Sequence, residues 1–204
     1  MFGLLPLAPA YAQYSLQVQG GYSLHGTGDL PGQEMRVALG YRLGRVGDLK
    51  LGYLHGSFSE EYTWSELGES AGFDDLEIGP EGIEAGGAHD EYARVSAATV
   101  GLSRDTRIIG GLHFYAGLAG GIYHVRRKTF ASFRVTTDDN GRPEVDLGYT
   151  AESFVAPMLS VDLGLAYKVD GLTAGPYLSG HFAGVDSMTG IGLFARLDWP
   201  VQID

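Results

Sequence analysis

From Tyr14 to Trp199 the chain repeats one pattern eight times: a segment of about ten residues in which apolar side chains alternate with polar or small ones. Successive side chains of a strand point to opposite faces, so a period of two builds a strand with one apolar face and is incompatible with the 3.6-residue period of a helix. Strand one, Tyr14 to Leu24, sets Tyr14, Leu16, Val18, Gly20, Tyr22 and Leu24 against Ser15, Gln17, Gln19, Gly21 and Ser23. Strand two, Gln33 to Leu43, sets Met35, Val37, Leu39, Tyr41 and Leu43 against Glu34, Arg36, Ala38, Gly40 and Arg42. Charges therefore keep to one face.

Strand three, Leu49 to Phe58, is read with Leu49, Leu51 and Tyr53 outward, and strand four, Tyr92 to Leu102, with Arg94, Ser96 and Ala98 inward. Strand five, Leu112 to Val125, presents Leu112, Phe114, Ala116, Leu118, Gly120 and Ile122; strand six, Ser153 to Tyr167, presents Val155, Pro157, Leu159, Val161, Leu163, Leu165 and Tyr167. Strand seven runs Leu172 to Ala183. Strand eight, Thr189 to Trp199, opposes Ile191, Leu193, Ala195, Leu197 and Trp199 to Gly190, Gly192, Phe194, Arg196 and Asp198.

The connections alternate in length. Gly44 to Asp48, Ser103 to Gly111 and Lys168 to Gly171 are short turns on one side; Ser59 to Glu91 and Arg126 to Glu152 are long loops on the other, with a short fourth loop at Gly184 to Met188. Inside the second long loop, Asn140-Gly141 reads as a hairpin tip, which extends strands five and six beyond the sheet. The fold class is therefore all-β: an eight-stranded antiparallel up-and-down barrel, of which the short turns mark one rim and the long loops the other.

Two placements of the apolar face compete. A soluble barrel lines its interior with the large apolar residues, and a transmembrane β-barrel turns them out to lipid. Tyr14 begins strand one while Tyr41, Tyr167 and Trp199 end strands two, six and eight, all four outward by parity at the short-turn rim. Such an aromatic girdle is a mark of the lipid-facing arrangement. No stretch approaches the roughly 18 to 20 apolar residues of a spanning helix. Met1 to Ala12 reads as the remnant of an export signal, apolar through Phe2, Leu4, Leu5 and Leu7 and ending in Ala10-Tyr11-Ala12, a small-x-small cleavage pattern; residues 13–204 are then the barrel domain.

An eight-stranded barrel leaves an interior that side chains fill. This explains 32 glycines in 204 residues, among them Gly21, Gly40, Gly52, Gly101, Gly117, Gly121, Gly164, Gly175, Gly190 and Gly192 on the inward face. The expected lumen network is Glu34, Arg36, Arg42, Arg94, Asp162, His181, Arg196 and Asp198, which must pair with one another because buried unpartnered charge is costly.

The formal charge of -11 is local. Ser59 to Glu91 holds eleven acids and no Lys or Arg, and the remaining 14 acids equal the 14 bases. That balance lacks the basic clustering nucleic acid requires. The acidic segment does not follow the spacing of a calcium loop, the six histidines show no metal-ligand spacing, and no cofactor is called for. With no Cys, disulfides and thiolate chemistry are excluded. One catalytic constellation suggests itself: His181 near the outer end of strand seven, with Ser179, Asp186 and Ser187 close in sequence, the residue types of a Ser-His-carboxylate relay. The outer-membrane lipid A deacylases place a Ser two residues after the His, where this chain has Ala183.

Taken together, the signal remnant, eight alternating strands, aromatic girdle and long outer loops resemble the small outer-membrane barrels of the OmpA-transmembrane and OmpX-like class, across Gln13 to Asp204. The resemblance implies location in a bacterial outer membrane after secretion, contact with outer-membrane lipid and lipopolysaccharide, insertion by the barrel-assembly machinery through Trp199, and a monomer. It implies a structural or surface-interaction role, with extracellular ligands meeting the loops 59–91 and 126–152. A narrow solute channel and a lipid A acyl hydrolase built on His181 are the alternatives. A peptidoglycan-binding domain is not expected.

Overall fold

The computed structural model describes residues 11–26, 30–44, 46–62, 89–137, 143–184 and 186–202. Within them run β1 (Tyr11–His25), β2 (Leu30–Arg42), β3 (Asp48–Tyr62), β4 (His89–Ile109), β5 (Leu112–Thr137), β6 (Pro143–Val169), β7 (Leu172–Ala183) and β8 (Asp186–Gln202). Each strand pairs antiparallel with the next, and β1 closes on β8 from Tyr11↔Gln202 to His25↔Met188. Closure removes both free edges of the sheet.

The alternation read from the sequence reappears as burial. On β1, Tyr14, Leu16, Val18 and Tyr22 are exposed while Ser15, Gln17, Gln19 and Ser23 are buried. Tyr41, Tyr14 and Trp199 lie in one cross-strand row, with the Tyr14 and Tyr41 rings 5.4 Å apart, and Tyr167 stands outward on β6 at the same rim.

Several boundaries differ from the sequence reading. Ser103 to Gly111 is not a turn: β4 continues to Ile109, and Gly110 and Gly111 alone connect it to β5. The third short connection shrinks to Asp170-Gly171, both at positive φ (44° and 87°), the conformation a two-residue type I′ turn requires. In line with the expected extension of strands five and six, Arg126 to Glu152 is a paired ribbon: β5 and β6 pair to Thr137↔Pro143 across one register shift between Phe130 and Ser132; the expected tip, Asn140-Gly141, lies outside the described residues. So do 63–88 of the acidic segment, which β3 and β4 narrow by pairing through Tyr62↔His89, and residues 1–10 of the expected signal.

Gly21 faces Gly192 across the β1–β8 seam, and a Cβ on either would overlap the opposite backbone. Gly20, on the outward face, has nothing nearer than 3.7 Å. Some inward glycines thus bring strands close together, whereas Gly190 makes room for a side chain: its added Cβ would lie 2.8 Å from Glu34 Oε1.

Candidate functional site in the barrel lumen

At the short-turn end the lumen is organised around Arg196, which is 0% exposed. Its guanidinium donates to both carboxylate oxygens of Asp105, with Nη1 to Oδ1 at 2.9 Å, and lies 3.5 Å from Asp48. Nη2 donates to Asp198 at 3.3 Å, whereas Nε approaches the other Asp198 oxygen at 2.9 Å without the alignment of a hydrogen bond. Arg42 pairs with Asp48, and Lys168 donates to Asp198 at 3.0 Å. Three carboxylates thus share three cations.

One layer deeper, the Lys50 ammonium donates to Gln17 Oε1 and, at 3.2 Å, to the Tyr115 hydroxyl. Beside them a cavity of about 20 Å³, the size of one water, is lined by Gln17, Gln19, Arg36, Lys50, Tyr115 and Asp162. The orphaned atoms Gln19 Nε2, Arg36 Nε and Asp162 Oδ1 belong to this group.

The third layer joins Glu34, Arg36, Asp162, Ser160 and His181. Arg36 donates to Asp162 at 2.5 Å and to Ser160 at 3.3 Å, and its Nη2 lies 3.2 and 3.3 Å from the two His181 nitrogens. Ser160 Oγ meets His181 Nδ1, and His181 Nε2 lies 3.3 Å from Glu34 Oε2. Glu34 Oε1 accepts from Tyr177 at 3.0 Å and Ser179 at 2.7 Å.

The catalytic constellation read from the sequence does not assemble. Ser179 serves Glu34, Asp186 lies 3.1 Å from His25 and accepts from Tyr123, and Ser187 donates to the Gly26 carbonyl. Chain proximity misled here: Ser160 reaches His181 as its register partner on β6, while Glu34 and Arg36 come from β2 on the other side of the closing seam. Glu34, His181 and Ser160 do follow the order of a carboxylate-His-hydroxyl relay, but Ser160 and His181 are fully buried and Arg36 packs on the imidazole. The Ser160 hydroxyl is committed to His181 and closed off from solvent, so the three groups form a buried hydrogen-bonded cluster.

Toward the long loops the lumen changes character. Leu30, Leu54, Phe58, Val95, Val125, Met158 and Met188 form an apolar cluster across the bore, joined by Tyr123. At its edge His25 Nε2 stands 2.9 Å from the Tyr123 hydroxyl and its ring 5.2 Å from Phe58.

This plug explains the misreading of strand four. Arg94 is exposed and faces outward, as Ala98 does, while Ala93, Val95, Ala97 and Thr99 point in. Where the interior is apolar the polar side chains of β4 take the outer face, so a rule that sends charge inward picks the wrong parity. Arg94 is not part of the lumen network. Sequence reasoning also missed Asp48, Lys50, Asp105, Tyr115, Ser160 and Tyr177. Asp48 and Asp105 lay in segments read as turns. The others share the inward parity of residues already named, which was the signal that could have found them.

The chain matches no protein-family model and no curated protein sequence. Among solved structures, that of Ail, the attachment invasion locus protein of Yersinia pestis, in complex with the heparin analogue sucrose octasulfate, aligns at a TM-score of 0.50 and 11% identity, covering 93% of this chain and 100% of that one. Neisserial surface protein A aligns at 0.49 with 13% identity over 92% and 96% of the two chains. The N-terminal β-barrel domain of OprF from Pseudomonas aeruginosa aligns at 0.43 with 15% identity over 90% and 97%. By architecture, this chain resembles the small eight-stranded outer-membrane barrels. At such identities the likeness is one of fold.

Proposed function

We propose that this chain spans a bacterial outer membrane as a barrel of structural and surface-interaction role, holding the acidic segment 59–91 and the β5–β6 ribbon of 126–152 at the cell surface. The observation that carries the reading is the inverted distribution of polarity. Leu51, Ile122, Val155 and Leu193 on the outer wall are 63–68% exposed, while Arg196, His181 and Gln17 inside are at most 1% exposed. A continuous exposed apolar band of this kind requires an apolar surrounding. The apolar plug across the bore argues against a solute channel, and the burial of Ser160 and His181 against an acyl hydrolase.

Further elements of the proposal follow from the same arrangement. Lipid and lipopolysaccharide contact the outer wall, the assembly machinery reads the β8 end at Trp199, and the barrel works as a monomer. Removal of a leader after Ala12 leaves Gln13↔Pro200 as the first rung of the closing seam.

The test is refolding of residues 13–204 into phosphatidylcholine vesicles. The unboiled protein should migrate faster on a cold detergent gel than the boiled protein and should resist extraction by alkaline carbonate. Equal mobility, or release by carbonate, would overturn the reading.

A further inference from the structure

Where the apolar band ends on the long-loop side, the outer wall is not uniform. On β3 and β4 the outward apolar run covers only 49–53 and 98–102, whereas on β6 it covers 155–167. Beyond it, cross-strand rows on the outer face read Met35–His55–Ser96–His124–Val155, then Gln33–Ser57–Arg94–Arg126–Ser153, then Ser59–Tyr92–Lys128–Ala151. Arg94 and Arg126 are exposed and directly opposite each other. Among the described residues neither has a carboxylate within salt-bridge distance; Arg94 lies 5.9 Å from the Tyr92 ring and Lys128 lies 3.8 Å from the Tyr149 ring. Arg127, of opposite parity, has a carboxylate partner in Glu152 at 2.7 Å. The histidines of the first row are held by serines, His124 to Ser153 at 3.1 Å and His55 to Ser96 at 3.5 Å. Followed the other way through Tyr22, the row of Gln33 and Arg94 reaches Ile191 on β8, an exposed apolar side chain. The backbone row that pairs Glu61 with Asp90 bounds the patch on the loop side.

Like charges set opposite each other across a ladder repel, and the repulsion is relieved by an anion that bridges them. The planar forks of two arginines match the oxygens of a phosphate group, and aromatic rings at this level are the usual neighbours of a headgroup layer. We propose that Arg94 and Arg126, with Lys128 beside them, form a site on the outer wall for the phosphate groups of an acidic, multiply phosphorylated glycolipid in the surrounding leaflet. The site rests on the membrane-spanning reading and adds to it a fixed lipid partner on one side of the barrel, β3 to β5.

The experiment compares binding of diphosphorylated lipid A to the refolded barrel in neutral detergent, followed by native mass spectrometry, for the unsubstituted chain, an Arg94→Gln/Arg126→Gln double variant, and Arg104→Gln, which removes an exposed outward arginine near the opposite rim of β4. The double variant should lose at least about tenfold in affinity and Arg104→Gln should not, as expected for two cations at a lipid surface. Arg94→Lys/Arg126→Lys should restore part of the loss. Enzymatically dephosphorylated lipid A should bind the unsubstituted chain as weakly as the intact lipid binds the double variant. Equal binding by double variant and unsubstituted chain overturns the proposal, as does undiminished binding of the dephosphorylated lipid. If pyrophosphate binds as tightly as the lipid and loses as much in the double variant, the site takes a free anion and the lipid assignment is wrong. Vesicle insertion and gel mobility, measured on the same variants, separate failure of this site from failure of the membrane reading.

Discussion

At the scale of single residues, most lumen charges removed from water meet a counter-charge, while Lys50 meets the neutral Gln17 and Tyr115. Arg196 illustrates the consequence of breaking such a pairing. Replacing it with Ala leaves Asp105 without its principal partner and Asp48 and Asp198 sharing the more exposed Arg42 and Lys168. The expected loss is about 3–5 kcal/mol, the range for unpairing a buried ion cluster by removing one member. Urea unfolding of the vesicle-inserted barrel, followed by tryptophan fluorescence, checks this, and an unchanged midpoint would mean that the network contributes filling without stability. Arg196→Lys should recover only a fraction, because an ammonium cannot reproduce the two-oxygen contact with Asp105.

Parity is the strongest element-scale signal. Six of the eight lumen charges expected from the sequence meet other members of that set or the aspartates beside them in the short-turn half, and His181 joins Glu34 through its imidazole. Arg94 alone took the wrong face, for a physical reason: alternation identifies two faces but says nothing about which is polar once the interior itself becomes apolar. Partner choice was less legible. His181 finds Ser160 as its register partner in the β6–β7 hairpin, but Glu34 on β2 is a neighbour set by barrel closure that a one-dimensional spacing does not encode. Glycines carry an element-scale prediction of their own. Gly21→Val should block closure of the β1–β8 seam and abolish the fast-migrating gel form, while Gly20→Ala on the outward face should fold like the unsubstituted chain, given the space around each. A second element, the ribbon beyond Lys128↔Ala151, pairs only with itself among the described residues. Replacing residues 131–148 with a two-residue Asn-Gly turn should change barrel stability by less than about 1 kcal/mol, since it shortens a surface connection and removes no barrel rung. Loss of the fast-migrating form in that variant would show that the ribbon supports the wall.

For the whole molecule, the reading turns on what surrounds the outer wall. Leu193 is 68% exposed within the apolar band. Leu193→Arg should destabilise the inserted barrel by about 2–4 kcal/mol if its depth is that of a bilayer midplane, whereas the same substitution on a water-facing wall is close to neutral. Denaturant titration in vesicles and in detergent gives the comparison, and a neutral result in vesicles would place Leu193 outside the hydrocarbon.

The seam between β1 and β8 joins the two most distant strands of the chain through Gly21 and Gly192. Every other strand pair is a hairpin of sequence neighbours and can form as the polypeptide lengthens; this one waits for the last strand. Until then the sheet carries two raw ladders beside an apolar outer surface, the conditions under which strands add to one another between molecules. A chain stalled or clipped before β8 is therefore not a shorter barrel but an open sheet with two unpaired edges, a template for aggregation.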